Sequence, residues 1–478
     1  MRFLIQFRGV TKPCFSSMFR DTSNHQKFSM PYSQSVQDVK WWPESFSKHP
    51  GKYILPCVKV PEQFEYNAHQ FLKHYDKETV VTVSKSLKNF LESRRVMTST
   101  TDAVISIGTG FKNEVKRTKS KQRQLVKLVD VQKHSLGDGF NISESPDSET
   151  HSLQKDSKKL YTRGPIKDYN WKQVVYDEYN SAAFLLGRSF ACYATILRVL
   201  SEIDKRTNFV PTSILDFGSG TGTSIWAANT LWQSSLKQYV CVDSSKHMNA
   251  LSQHIFTGGK PDIELPGLFT RQFLPVSFNM TYDIVVSSYT LSEISNTNDR
   301  LALLKILWKK VNRFLVLVEH GNFHGYYIIM EARNLLANNM ESLNKPKPCS
   351  KPLEKGHIFA PCPHKMECPK FETKSACVFH QKYFTPSFYR TPRTSASASF
   401  TYLVMEKDSE EVSINTWPRV IGAPNRQGTN CMHCHLCTPK GRIEHVGITK
   451  SLSSHLYQVA KKSNIGDHLP LFHIDDNS

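Results

Sequence analysis

The apolar positions of this 478-residue chain change period along its length, and each change predicts an element. From Val60 to Val96 they recur at helical spacing and Pro61 suits a first helical turn, so two helices are expected within an N-terminal helical region over 26–100. Ala182 to Ile203, AAFLLGRSFACYATILRVLSEI, reads as an apolar amphipathic helix able to pack beside a sheet. Four strands are expected next, at Ser213 to Phe217, Gln238 to Val242, Tyr282 to Ser287 and Phe314 to Glu319. Their Val, Ile and Leu run continuously rather than alternating, as parallel strands covered on both faces require. Helical text lies between and after them, at Ser224 to Ser234, Ser245 to Phe256, Asp299 to Val311 and Tyr326 to Leu343. The expected fold class is therefore a doubly wound, Rossmann-like α/β sheet over 165–345.

Outside that domain the patterns differ. Eight Lys or Arg against two acids between Lys112 and Lys133, followed by GDGFNISESPDSETHSLQKDSKK, leave little to bury, and 101–160 is expected to be a flexible basic and polar insertion. After Lys345 a run rich in Pro and Lys ends the helical text. A cysteine-rich lobe is expected over 346–465, with short strands near Ser399 to Met405 and Arg442 to Ile448 and a tail over 466–478. The first residues, MRFLIQFRGVTKPCFSSMFR, carry Arg2, Arg8, Lys12 and Arg20 with no acid before Asp21, the pattern of a mitochondrial presequence over 1–25. No run of 18 apolar residues occurs, so no membrane span is expected. The 61 Lys and Arg against 42 Asp and Glu give a formal charge of +19, which favours a polyanionic partner, nucleic acid first.

Candidate chemistry begins at LDFGSGTGTS. Asp216 ends a strand, and Gly218, Gly220 and Gly222 then allow a tight turn and close approach of backbone amides to a ligand. Asp243, 21 residues beyond Gly222 at the end of the next strand, is placed to accept ribose hydroxyls, which suits either a dinucleotide or S-adenosylmethionine. The D-x-G-x-G-x-G form resembles the first motif of class I methyltransferases, and that resemblance implies S-adenosylmethionine held by Asp216, the three glycines and Asp243. YDIVVSSYTLSEI, where such enzymes often carry an acceptor motif, contains no Pro, and no cysteine nucleophile falls between Cys241 and Cys349. Glu293, Glu319 and His320 are general-base candidates by position only, and no residue is assigned a catalytic role.

Six of the 11 cysteines lie between Cys362 and Cys437, too clustered in too long a chain for a secreted disulfide framework, which points to metal. Cys362, Cys368 and Cys377 are spaced C-x5-C-x8-C, and NCMHCHLC supplies Cys431, Cys434 and Cys437. Thiolates suit zinc or an iron-sulfur cluster. The wide, uneven loops with Pro beside Cys lean toward the cluster, while the C-x2-C pairs keep zinc open. His364, His380, His433 and His435 are possible substitute ligands. The C-x3-C-x2-C loop of radical cofactor cleavage is absent.

Taken together, GRSFACYATILRVLSEI, the glycine loop, YDIVVSSYTLSEI, LVLVEHGNFHG with EARN, FAPCPHKMECP with ACVFHQ, and WPRVIGAPNRQGTNCMHCHLCTPKGRIEHVGITKS resemble the mitochondrial methyltransferase-like family of small-ribosomal-subunit assembly factors over 165–465. The resemblance implies a protein of the mitochondrial matrix that binds S-adenosylmethionine, carries a 4Fe-4S cluster and docks as a monomer on small-subunit rRNA and ribosomal proteins, with methyl transfer in doubt. It implies Cys362, Cys368 and Cys377 as cluster ligands, with Cys437, before the turn in LCTPKG, as the fourth and Cys434 as its rival. Arg419, Arg426, Lys440, Arg442, Lys450, Lys461 and Lys462 are then expected to present a basic face to phosphate.

Overall fold

The computed structural model describes residues 39–41, 49–94, 173–260, 262–263, 265–275, 280–338, 354, 356–372, 375–388, 394–407 and 417–473. The expected presequence, the 101–160 insertion and the last residues of the tail lie outside them.

A short strand, β1 (Val39–Trp41), precedes the two expected helices, α1 (Glu62–Leu72) and α2 (Lys77–Ser93). The Asp76 side chain caps α2 by accepting from the Thr79 amide at 2.8 Å, which satisfies a backbone donor that has no partner inside the helix. The apolar helix of the sequence is real but interrupted. It runs as α3 (Glu178–Phe184), a π-helical turn at Leu185–Ser189, and α4 (Phe190–Arg206). Among the described residues this run alone is long and apolar enough to cross a membrane, yet most of it is buried as the core helix of the sheet. Phe64 of α1 meets Phe190 edge-on at 5.8 Å, so the N-terminal helices share the core of the sheet.

The four expected parallel strands are β2 (Ser213–Phe217), β3 (Gln238–Val242), β5 (Tyr282–Ser288) and β6 (Val311–His320), and a fifth, β4 (Leu268–Arg271), lies at the edge beside β3. Helices α5 (Thr223–Trp232), α6 (Lys246–Thr257), α7 (Thr297–Lys310) and α8 (Phe323–Asn338) connect or follow them. The parallel order β4-β3-β2-β5-β6 puts the reversal of winding between β2 and β5. A doubly wound sheet opens its ligand crevice at that point, beyond the carboxyl ends of the strands.

The sheet does not stop at residue 345, where the sequence suggests a change of lobe. From beyond it come β7 (Gly356–Ala360), β8 (Phe379–Phe384) and β9 (Ser395–Lys407). Strand β9 runs antiparallel beside β6, from Phe314 opposite Glu406 to His320 opposite Phe400, and both β7 and β8 pair with β9. Strand alternation then builds two cores. Phe314, Val316, Val318, Phe400, Tyr402 and Val404 face α4 and α5, whereas Leu315, Leu317, Leu403 and Met405 face α7 and α8.

The remaining chain forms a small antiparallel sheet of β10 (Arg419–Val420), β11 (Asn425–Gln427), β12 (Cys431–Cys437) and β13 (Ile443–Thr449), covered by α10 (Ser454–Lys462) after the short α9 (Pro369–Glu372). A last strand, β14 (Leu471–His473), pairs with β1. Arg419, expected on the phosphate-facing surface, is instead buried. Its guanidinium bonds Glu202 of α4 at 2.6 Å, and Arg206 at 2.9 Å and Arg198 at 3.3 Å bind the same carboxylate. Burial alone would raise the Glu202 pKa, but Arg419, Arg206 and Arg198 together hold it well below the usual carboxylate range. A charge-rich composition gives no sign of this pairing, because the partner lies 217 residues away in sequence. Removing one member of such a buried pair typically costs about 3–5 kcal/mol, so the contact fastens the C-terminal sheet to α4.

Candidate cofactor loop and four-cysteine cavity

The glycine loop sits at the crevice, between β2 and the N-terminus of α5. Gly218, Gly220 and Gly222 all have positive φ. A Cβ on Gly218 would fall 2.0 Å from Thr290 Oγ1, and one on Gly222 would fall 2.4 Å from the Phe256 ring, so packing as well as backbone conformation demands glycine there. Around Gly220 the nearest atom to such a Cβ is Phe184 Cε1 at 3.7 Å, which leaves ordinary contact distance on the side that would meet a ligand. The Gly218 and Ser219 amides donate to the Val242 carbonyl at 2.7 and 3.1 Å and tie the loop to β3.

Asp216 and Asp243 differ in what they have to offer. Asp243 Oδ2 accepts from the Gly220 amide and Oδ1 from the Ser245 amide, both at 2.9 Å, so each oxygen keeps one lone pair for a ligand. Burial raises the Asp243 pKa and these two bonds oppose it. Asp216 is fully buried and neither carboxyl oxygen has a hydrogen-bond partner. Burial pushes its pKa up to about 7, with Asp243 adding to the rise and the neighbouring Ser224 hydroxyl opposing it. An unpartnered buried carboxyl calls for a cationic or donating ligand group.

The residues after β5, where a methyl acceptor would be received, make their contacts within the chain. Tyr289, just after β5, is the one described non-glycine residue with positive φ, at 58°. Its side chain turns into the core. The hydroxyl pairs with Thr195 Oγ1 at 2.9 Å, and the Arg188 guanidinium lies over the ring at 4.9 Å. Arg188 comes from the π-helical turn, a feature found often at functional sites. Of the base candidates, Glu293 accepts from the Tyr176 hydroxyl at 3.0 Å and pairs with Arg94 at 2.6 Å. The Ser245 hydroxyl donates to the Tyr176 carbonyl at 2.7 Å, anchoring that segment beside Asp243. Glu319 and His320 are buried. Burial raises the Glu319 pKa to about 7, and for His320 burial, then the charges of Arg188 and Arg94, hold the ring neutral.

The second site is a cavity lined by Cys362, Cys368, Cys377 and Cys437, with Pro361, Pro369, Lys370, Arg419, Ile421 and Ile443. Cys362 follows β7, Cys368 precedes α9, Cys377 precedes β8 and Cys437 ends β12. The structure therefore gathers all four cysteines that the resemblance nominates. Strand alternation separates Cys437 from its rival. Cys434 lies on the other face of β12 with Met432 and Leu436, inside the small core under α10. Burial, then the neighbouring thiols, raises the Cys437 pKa well above the usual thiol value, and the same causes push Cys377 up to about 12, with Lys370 and Arg419 opposing. Among the described residues no three His, Cys, Asp or Glu side chains are grouped as ligands of a metal ion.

Of the histidines, His364 alone among those four touches this set, its Nε2 lying 3.4 Å from Cys437 Sγ. His380 pairs with Ser399 on β9, while His433 and His435 stack against His445. Sequence reasoning missed Arg333 and Tyr326, which α8 places against Cys362 and Cys368. Arg333 stands in the EARN stretch of the resemblance without a role attached to it, and nothing marked Tyr326. Arg426, Lys440, Arg442, Lys450, Lys461 and Lys462 are exposed.

The family model for the mitochondrial small ribosomal subunit Rsm22 matches residues 178–470. The human mitochondrial ribosome assembly protein METTL17 is 32% identical over 435 residues, covering 89% of this chain and 85% of that protein. The Saccharomyces cerevisiae mitochondrial ribosome assembly protein RSM22 is 22% identical, covering 58% of this chain and 64% of that protein. Rsm22-cox11 tandem protein 2 of Schizosaccharomyces pombe is 25% identical, covering 58% and 41%. With more than half of its length matched by the family model and most of its span shared with the human protein, the chain belongs to the mitochondrial small ribosomal subunit Rsm22 family.

Proposed function

We propose that the protein is an assembly factor of the mitochondrial small ribosomal subunit. It works in the matrix as a monomer and docks on small-subunit rRNA and ribosomal proteins through its C-terminal lobe, without transferring a methyl group. The observation that carries docking over catalysis is that the candidate acceptor residues are engaged within the chain: Glu293 is committed to Arg94 and Tyr176, and Tyr289 is turned into the core. The human and yeast relatives, both mitochondrial ribosome assembly proteins, support the assembly role.

Two groups fit the sites in this reading. The unpartnered Asp216 carboxyl and the open side of Gly220 suit S-adenosylmethionine, with Asp216 facing its ammonium, Gly218, Gly220 and Gly222 giving backbone room, and Asp243 accepting from the ribose. Cys362, Cys368, Cys377 and Cys437 line one cavity and suit a 4Fe-4S cluster, which the wide, uneven loops with Pro beside Cys favour over a single tetrahedral ion. The cluster would supply a covalent cross-link among four segments. The chain's own residues do the rest. Cys437 ends the strand that carries His433 and His435, so the cross-link fixes β12 and β13 and the exposed Lys440, Arg442 and Lys450 around them.

A second reading, an rRNA methyltransferase, is favoured by the same unpartnered Asp216 and the intact loop. The test is to replace Gly220 by Val and Asp243 by Asn together, then follow small-subunit assembly and map rRNA methylation in cells. Docking predicts normal assembly with every methyl mark retained. Loss of one mark together with cofactor binding would overturn it in favour of the enzyme.

A further inference from the structure

The surroundings of the four-cysteine cavity are rich in donors and poor in acceptors. Among the described residues no Asp or Glu lines it. Arg333 of α8 is fully buried, and its Nη2 donates to the carbonyls of His364, at 3.1 Å, and Met366, which lie between Cys362 and Cys368 in the chain. Its Nε and Nη1 have no oxygen or nitrogen partner, and the guanidinium lies against the Cys362 thiol. Arg419 lines the cavity from the opposite lobe. Its Nη1 and Nη2 are spent on Gly466, Tyr402 and Glu202, but Nε has no partner. The hydroxyl of buried Tyr326 has no oxygen or nitrogen partner and lies against the Cys368 thiol.

An isolated buried guanidinium is costly, and unpaired buried donors are rare in folded proteins. Four such nitrogen and oxygen donors around four thiols share one resolution, which is a multiply charged anion at the centre of the cavity. A [4Fe-4S]2+ core with four thiolates has a net charge of 2−. Adding one electron from an external low-potential reductant makes it 3− with no bond or proton changing place. Nearby positive charge and donated hydrogen bonds favour the more negative state, and these are the levers that set cluster potentials.

We propose that Arg333, Arg419 and Tyr326 form a donor clamp that holds the four-cysteine centre as a dianion and raises its one-electron reduction potential. This rests on the 4Fe-4S reading given above. Arg333 is the member most dependent on the centre, because Arg419 has the Glu202 carboxylate as a counter-charge and Arg333 has only backbone carbonyls and the Cys362 thiol. These are positioning and charge-setting residues, not ligands.

The test is a dithionite titration of full-length protein purified without oxygen, followed by visible absorbance and electron paramagnetic resonance, with iron counted per chain. Arg333→Met is expected to load iron and to favour the oxidised state about tenfold at fixed potential, a shift of ~59 mV to more negative values for one electron. Arg333→Lys, which keeps the charge, should recover part of that shift. A purely structural role would lower thermal stability and leave the potential where it was. That result, in an iron-loaded variant, overturns the clamp while leaving the cluster intact. If Arg333→Met fails to load, Tyr326→Phe decides. It should load and shift the potential in the same direction, and an unchanged potential counts against the clamp. Wild-type protein with one zinc and no iron overturns both the cluster reading and the clamp built on it.

Discussion

At the scale of single residues, the loop was legible because each glycine answers a local demand. Asp216 was legible as a position but not as a chemical state, since its pKa near 7 comes from burial that only the folded sheet imposes. That state makes a prediction. A cationic cofactor prefers the ionised carboxylate, so below pH 7 binding must be coupled to loss of a proton from Asp216. Calorimetry of S-adenosylmethionine binding should show affinity nearly flat from pH 8 to 7.5 and falling toward about tenfold per unit below 7. Asp216→Asn should bind weakly and without that slope, and a wild-type affinity independent of pH between 6 and 8 would sink the pairing. Tyr289 and Arg419 were not legible. Nothing marks a tyrosine for positive φ, and nothing marks one arginine among many for burial against a glutamate far off in the chain.

At the scale of elements, the runs of Val, Ile and Leu gave the parallel strands nearly to the residue, because two covered faces leave no room for polar alternation. The edge strand β4 escaped notice, being four residues long with three of them exposed. NCMHCHLC misled in a more informative way. Its cysteines suggest a metal knuckle, yet it is a strand, and the period of two decides which thiol faces which side. Cys437→Ser is therefore expected to abolish iron binding. Cys434→Ser should retain iron and lose roughly 1–3 kcal/mol of stability from a hydroxyl placed among Met432 and Leu436. Iron content and urea unfolding of the two variants check this, and equal iron loss in both would contradict the strand argument.

At the scale of the whole molecule, the net charge of +19 was the first hint of a polyanionic partner, and six of the seven nominated basic residues are exposed. If they contact phosphate together, affinity for small-subunit rRNA should fall roughly 10²- to 10³-fold between about 50 and 200 mM salt. Filter binding across that range is the measurement, and constant affinity would exclude a phosphate-dominated surface. The family, too, could be read from the sequence, because its motifs lie at sites where packing or ligation permits few alternatives. The expected lobe boundary at 345 did not correspond to a break in the sheet. Composition changes there, but hydrogen bonding does not.

That continuity bears on how such a chain can be shortened. Strand β9 gives β6 its only neighbour on that side, along seven residue pairs. A fragment cut after the apparent nucleotide-binding domain would carry Phe314 to His320 as a bare, apolar edge, the kind of surface that recruits other chains into aggregates. The portion that looks most like a free-standing enzyme is thus the portion least able to stand alone. Its solubility is on loan from the sequence that follows it.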